Sequence, residues 1–84
     1  MQPAAVCVGP ENTLIVADTG HHRILVFDLQ SGEVASSLGG PDPGKGPMAF
    51  QWPRGVALGR GGMLYVLDSG NGRIQKLRLQ VSRR

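Results

Sequence analysis

One cysteine, two histidines and four aromatic residues are all that this 84-residue chain offers for redox chemistry, metal ligation and ring stacking. The single cysteine, Cys7, excludes an intrachain disulfide and is compatible with a reducing compartment. It stands between valines in "AAVCVG", with no basic neighbour to lower its pKa. It therefore reads as a buried strand residue and not as a reactive thiol. No apolar run approaches the ~20 residues of a membrane-spanning helix. The start, "MQPAAVCVGP", has neither a basic segment nor a long apolar core, so no secretory leader is expected. These features favour a cytoplasmic setting without a membrane partner. The two histidines are neighbours, His21 and His22, so no catalytic set with histidine can be drawn from separate places.

Basic charge is nearly missing from one half of the chain. Residues 1–42 carry one basic residue, Arg23, and five acidic ones, a net of −4. Residues 43–84 carry eight basic residues against one acidic residue, Asp68, a net of +7. Such asymmetry points to an acidic partner or nucleic acid, or to a solubilising end.

What the sequence does contain is a repeat. Shifted by 50 residues, "PAAVCVGPENTLIVADTGHHRILVFDLQ" (3–30) lies over "PRGVALGRGGMLYVLDSGNGRIQKLRLQ" (53–80) without a gap, and eleven of 28 positions are identical. Each copy reads as short strands separated by turns: Ala4–Val8, Leu14–Ala17, Ile24–Leu29 and Glu33–Leu38, then Gly55–Leu58, Leu64–Leu67 and Ile74–Val81. The connection "GGPDPGKGPMAFQWP" is rich in glycine and proline and supports no helix. Phe50 and Trp52 are expected to anchor it by burial. Four antiparallel strands recurring every 40 to 50 residues are the signature of a propeller blade.

"TLIVADTGHHRILVFD" and "MLYVLDSGNGRIQKL" resemble NHL repeats, and the resemblance spans most of the chain. The fold it implies is all-β: two four-stranded antiparallel NHL-type β-propeller blades, the second incomplete, making a partial propeller. Residues 1–38 form the first blade, 39–52 the connection, and 53–84 a second blade that lacks its outer strand and ends in basic residues. Two blades leave sheet faces bare, and repeats of this kind need about three units for stability. Further blades in a longer chain, or other copies of this one, are therefore expected to close a ring.

The second copy supplies a control for the histidines. His21 aligns with Asn71 and His22 with Gly72, and Asn-Gly is the strongest short turn signal. Histidine also tolerates positive φ better than most residues. Asp18, Gly20, His21 and His22, and likewise Asp68, Gly70, Asn71 and Gly72, are expected to be structural turn residues. The aspartates are expected to accept backbone N–H groups of the following turn, and Arg23 and Arg73 to brace the same turn or the next blade. No cofactor and no metal are assigned, because a zinc site needs three or four converging ligands. "GGPDPGKG" (39–46) falls short of a phosphate loop: Gly46 replaces the hydroxyl residue and two prolines remove donors.

On the last strand, Ile74, Lys76 and Arg78 should share one face, and Gln75, Leu77 and Leu79 the other. Arg54, Arg60, Arg73, Lys76 and Arg78 form the candidate basic binding set, which Arg83 and Arg84 extend. The expected role is non-catalytic, a scaffold for a protein partner. The resemblance implies the substrate-recognition part of a RING/B-box ubiquitin ligase (TRIM-NHL-like). RNA binding through the basic half is one alternative. The other is a fragment of a zinc-dependent propeller enzyme similar to peptidylglycine amidating lyase.

Overall fold

The computed structural model describes residues 3–40, 42–46 and 49–79. Four strands, β1 (Pro3–Gly9), β2 (Thr13–Asp18), β3 (Arg23–Asp28) and β4 (Val34–Gly39), pair in sequence order into one antiparallel sheet. β5 (Pro53–Leu58), β6 (Met63–Asp68) and β7 (Arg73–Arg78) form a second, three-stranded one. No α-helix occurs among the described residues. Among the described residues the architecture is a partial propeller of one four-stranded and one three-stranded blade.

Both blades repeat their details. Each first strand has a register shift just after its proline, between Pro3 and Ala5 and between Pro53 and Gly55. Proline donates no ladder hydrogen bond, which suits it to such an irregular strand end. The turn between first and second strands is left-handed at the same two positions: Glu11 and Asn12 in one blade, Gly61 and Gly62 in the other.

Strand alternation then decides the packing. Pairing of Ala17 with Ile24 and of Ile15 with Val26 puts these four side chains on one face of the first blade. All four are fully buried, together with Leu64 and Val66 from the facing side of the second blade. Ala5, Cys7, Leu38, Val56, Leu58 and Leu79 complete this core. The blades thus meet face to face, with β5 lying against β1 and β2. The core sits between the sheets and not inside either one.

Some expectations shift. β3 ends at Asp28, so Leu29 leaves the ladder and donates its N–H to the Asn12 carbonyl at 3.0 Å. β7 ends at Arg78, and the expected continuation to Val81 falls outside the described residues beyond Leu79. In the connection, Phe50 is fully buried in the core as expected. Trp52 is not a buried anchor: it is 44% exposed and takes a left-handed backbone, φ 51°. Its ring lies edge-on to His22 instead, the centroids 4.4 Å apart.

The repeat offers a matched test of this packing. Ile24 is fully buried, whereas its counterpart Ile74 is 68% exposed. Ile24→Ala is expected to cost about 2–5 kcal/mol of unfolding free energy, and Ile74→Ala less than about 0.5 kcal/mol. Urea titration followed by circular dichroism measures both; equal losses would contradict this packing.

Candidate functional site

Each blade pairs a buried carboxylate with an arginine at the end of its second strand. Asp18 and Asp68 close β2 and β6, and both are fully buried. A short 3-10 turn follows each, Thr19–His21 and Ser69–Asn71. The chain then reverses so that Arg23 and Arg73 sit opposite the aspartates in the ladder. Each arginine donates its Nε–H to a carboxylate oxygen at 2.8 Å.

The remaining carboxylate partners explain the histidine pair. Asn71 donates its side-chain amide to Asp68 at 2.9 Å. At the equivalent place, His21 Nδ1 lies 3.2 Å from Asp18 Oδ1. His21 thus stands where Asn71 stands. His22 takes the position of Gly72, and both are left-handed, at φ 53° and 62°. A side chain at that φ is uncommon, and here the imidazole has its own bonding. His22 is buried, and its Nδ1 accepts the Trp52 N–H at 3.0 Å. Gly72 has no such counterpart, so alignment alone could not reveal this link from the first blade to the connection.

Asp68 differs from its expected role. It caps no N–H of the turn that follows. Its Oδ1 accepts the Gln51 N–H at 2.7 Å, from the connection that precedes the blade. Gly70 reinforces this by donating its N–H to the Gln51 carbonyl at 2.7 Å. Burial by itself raises the Asp68 carboxyl pKa. The Gln51 N–H, the Asn71 amide and the Arg73 guanidinium together outweigh burial and hold it below the ordinary aspartate value.

The five candidate cations fall into two places. Arg73 sits on Asp68, with its outer nitrogen donating to the Gly46 and Ala49 carbonyls of the connection. Arg54 is exposed near the same end, next to Pro53, which pairs with Asp68. Arg60, Lys76 and Arg78 share the other region. Lys76 lies opposite Tyr65 and Arg78 opposite Met63. Arg60 opens the 3-10 turn (Arg60–Gly62) that leads into Met63, and Arg78 donates to the Gly61 carbonyl of that turn at 2.9 Å. Ile74, Lys76 and Arg78 are all exposed on one face of β7, while Leu77 is buried on the other. Arg83 and Arg84 lie outside the described residues.

No group of three or more histidine, cysteine, aspartate or glutamate side chains suited to a metal occurs among the described residues. Burial pushes the Cys7 thiol pKa up, offset in part by the backbone of Leu58, which suits a packing role. No helix among the described residues is long and apolar enough to cross a membrane.

A family model described as NHL repeat matches residues 1–27 and 50–77, one match in each blade. The chain is 42% identical over 75 residues to NHL repeat-containing protein 2 of Bos taurus, covering 83% of this chain and 10% of that protein. The protein of the same name from Gallus gallus is 41% identical over 73 residues, covering 81% and 10%. The Homo sapiens one is 40% identical over 75 residues, covering 83% and 10%. The chain spans about a tenth of the length of these relatives.

The depressed Asp68 pKa has a sign that can be checked. Its stabilising contribution is complete above the unfolded aspartate value, about 3.9, and fades as pH falls through the lower folded value. Asp68→Asn should therefore flatten the acid limb of a stability-against-pH curve measured by urea midpoints. Asp68→Ala should cost about 1–3 kcal/mol at neutral pH, since buried donors lose their acceptor. For His22, alanine should lower the melting temperature more than glycine, because only glycine tolerates the left-handed φ without strain.

Proposed function

The chain belongs to the NHL-repeat family, whose propellers are scaffolds for protein interaction, and from that premise we propose a non-catalytic docking role for its second blade. The outer face of that blade binds a protein surface that is apolar at its centre and acidic at its rim. Residues 1–38 and 53–84 act as the two structural units, and 39–52 as the joint between them.

One observation carries this reading. The face of the second blade turned away from the first has an apolar floor of Tyr65, Leu67 and Ile74, all exposed. It also has a cationic margin of Arg60, Lys76 and Arg78, all exposed. Exposed apolar surface rimmed by charge is what interaction sites present. The conspicuous acid and base pairs, Asp18 with Arg23 and Asp68 with Arg73, bond to each other and brace turns. Their chemistry is that of a frame. A place as the substrate-recognition arm of a RING/B-box ubiquitin ligase is one setting in which such a face would serve, and it extends the family resemblance.

A second reading, RNA, draws on the pairing of Tyr65 with Lys76 across β6 and β7. An exposed ring beside a cation is the minimal unit of base stacking with phosphate attraction. The protein reading is favoured because Leu67 and Ile74 add aliphatic surface, which a nucleic acid uses poorly.

Fluorescence anisotropy with labelled polyglutamate and labelled oligouridine separates the two. The peptide is expected to bind, and Lys76→Glu with Arg78→Glu to weaken it by about tenfold, equivalent to about 1.4 kcal/mol. Binding of oligouridine alone, falling steeply with salt, would replace this reading with the second. No binding of either probe would remove both.

A further inference from the structure

Of the two asparagines in the chain, Asn71 is the one followed by a glycine. Asn-Gly is the dipeptide that loses its side-chain amide most readily, because no β-carbon shields the backbone nitrogen that follows. The reaction needs only water. The Gly72 nitrogen attacks Asn71 Cγ, the Cγ–Nδ2 bond breaks, and ammonia leaves with the proton that the backbone nitrogen gives up. Water then opens the five-membered imide at either carbonyl, leaving aspartate or isoaspartate.

The fold holds every group in this reaction. Asn71 Nδ2 has two hydrogens, and both are engaged: it donates to the Gly44 carbonyl at 2.7 Å and to Asp68 Oδ2 at 2.9 Å. The attacking nitrogen donates to the Ser69 carbonyl at 3.1 Å. Ring closure requires that nitrogen to surrender its bond and turn toward Cγ, so the short 3-10 turn (Ser69–Asn71) must come undone first. Gly72 is exposed, so water reaches the site once it opens.

The same bonds fasten the connection to the second blade. Asn71 holds Gly44, Arg73 holds Gly46 and Ala49, and Gln75 donates to the Ala49 carbonyl at 2.7 Å. We propose that Asn71–Gly72 is a deamidation site that the fold keeps closed, that opens when the connection lifts off the second blade, and whose reaction makes that release permanent.

Permanence follows from the donors lost. A carboxylate in place of the amide sets acceptor against acceptor on both sides, at the Gly44 carbonyl and at Asp68. It also places like charge beside a buried carboxylate. Isoaspartate goes further, since it routes the main chain through the side-chain carbon and lengthens the reversal between β6 and β7. The first blade carries no such site. His21 stands at the equivalent place against Asp18, and an imidazole has no amide to lose. Asn12 precedes the β-branched Thr13, which shields its own nitrogen, so Asn12 serves as an internal comparison.

The test follows both asparagines by peptide mass spectrometry while the 84-residue chain ages at neutral pH, in buffer and in urea. In urea, Asn71 should deamidate well ahead of Asn12. In buffer, loss at Asn71 should be at least about tenfold slower than in urea, because only the opened fraction reacts. Gln75→Ala removes one hold on the connection and leaves Asp68 and its partners in place. It should speed the loss in buffer and leave the rate in urea unchanged. The released state is read by trypsin cleavage after Lys45, which lies exposed between the two glycines whose carbonyls are held. Asn71→Asp should be cut there several-fold faster than the wild type, and faster than Asn71→His, which keeps a donor toward Asp68. If Asn71→Asp does not fold, the cut is followed on the ageing wild-type chain, where it should rise in step with the deamidated fraction. Equal rates at Asn71 in buffer and urea would overturn the gating, as would a rate in buffer indifferent to Gln75→Ala. Cleavage after Lys45 that ignores deamidation would overturn the permanent release.

Discussion

A carboxylate with no exposure to water, at the end of a strand, is the constraint on which the second blade depends. Asp68 cannot sit there without donors for its oxygens. It receives them from three parts of the chain: the connection through the Gln51 N–H, the turn through Asn71, and the returning strand through Arg73. The cost of burying the charge is thereby converted into geometry. The strand end, the reversal and the approach of the connection are fixed by one side chain. Arg73, while paired, also reaches the Gly46 and Ala49 carbonyls, and so holds the connection against the blade it introduces.

The first blade solves the same problem with different residues. His21 replaces the amide of Asn71, and His22 replaces a glycine at a left-handed position. The substitution at His22 gives the first blade a hold on the backbone of Trp52. With Gln51 tied to the second blade and Trp52 to the first, adjacent residues of the connection are gripped from opposite sides. The core between the sheets, this double grip and the Thr19 hydroxyl, which donates to the Pro53 carbonyl at 2.6 Å, together set how one blade lies on the next.

Much of this is legible in the sequence, because a repeat is its own alignment. The 50-residue shift marks the strands, the turns and the aspartate–arginine pairs, and alternation within each strand marks which side chains are buried. Ile74, Lys76 and Arg78 share an exposed face, as their spacing implies. What the shift could not show is whatever the copies do not share. Trp52 suggests an anchor by size, yet the 50-residue shift sets it over Gln2, which shares nothing with it, and its backbone N–H matters more than its burial. The carboxylate partner at Gln51 was hidden for another reason. It lies 17 residues before Asp68, beyond the reach of any local turn rule. The basic residues likewise formed one set in sequence and two in space, because register places Arg73 beside Asp68 and Arg78 beside Met63.

The hydrogen-bonded ladders of the two blades are separate sheets. Every strand-to-strand bond therefore closes within a single unit of the repeat, and what joins one unit to the next is side chains and a short tether. Lengthening such an array needs no ladder to be cut and respliced. A duplicated segment brings its own complete bonding and only has to offer compatible surfaces at its two sides. The two copies in this chain are alike in frame and different in their turns, so a unit can vary its turns without disturbing the ladder of its neighbour.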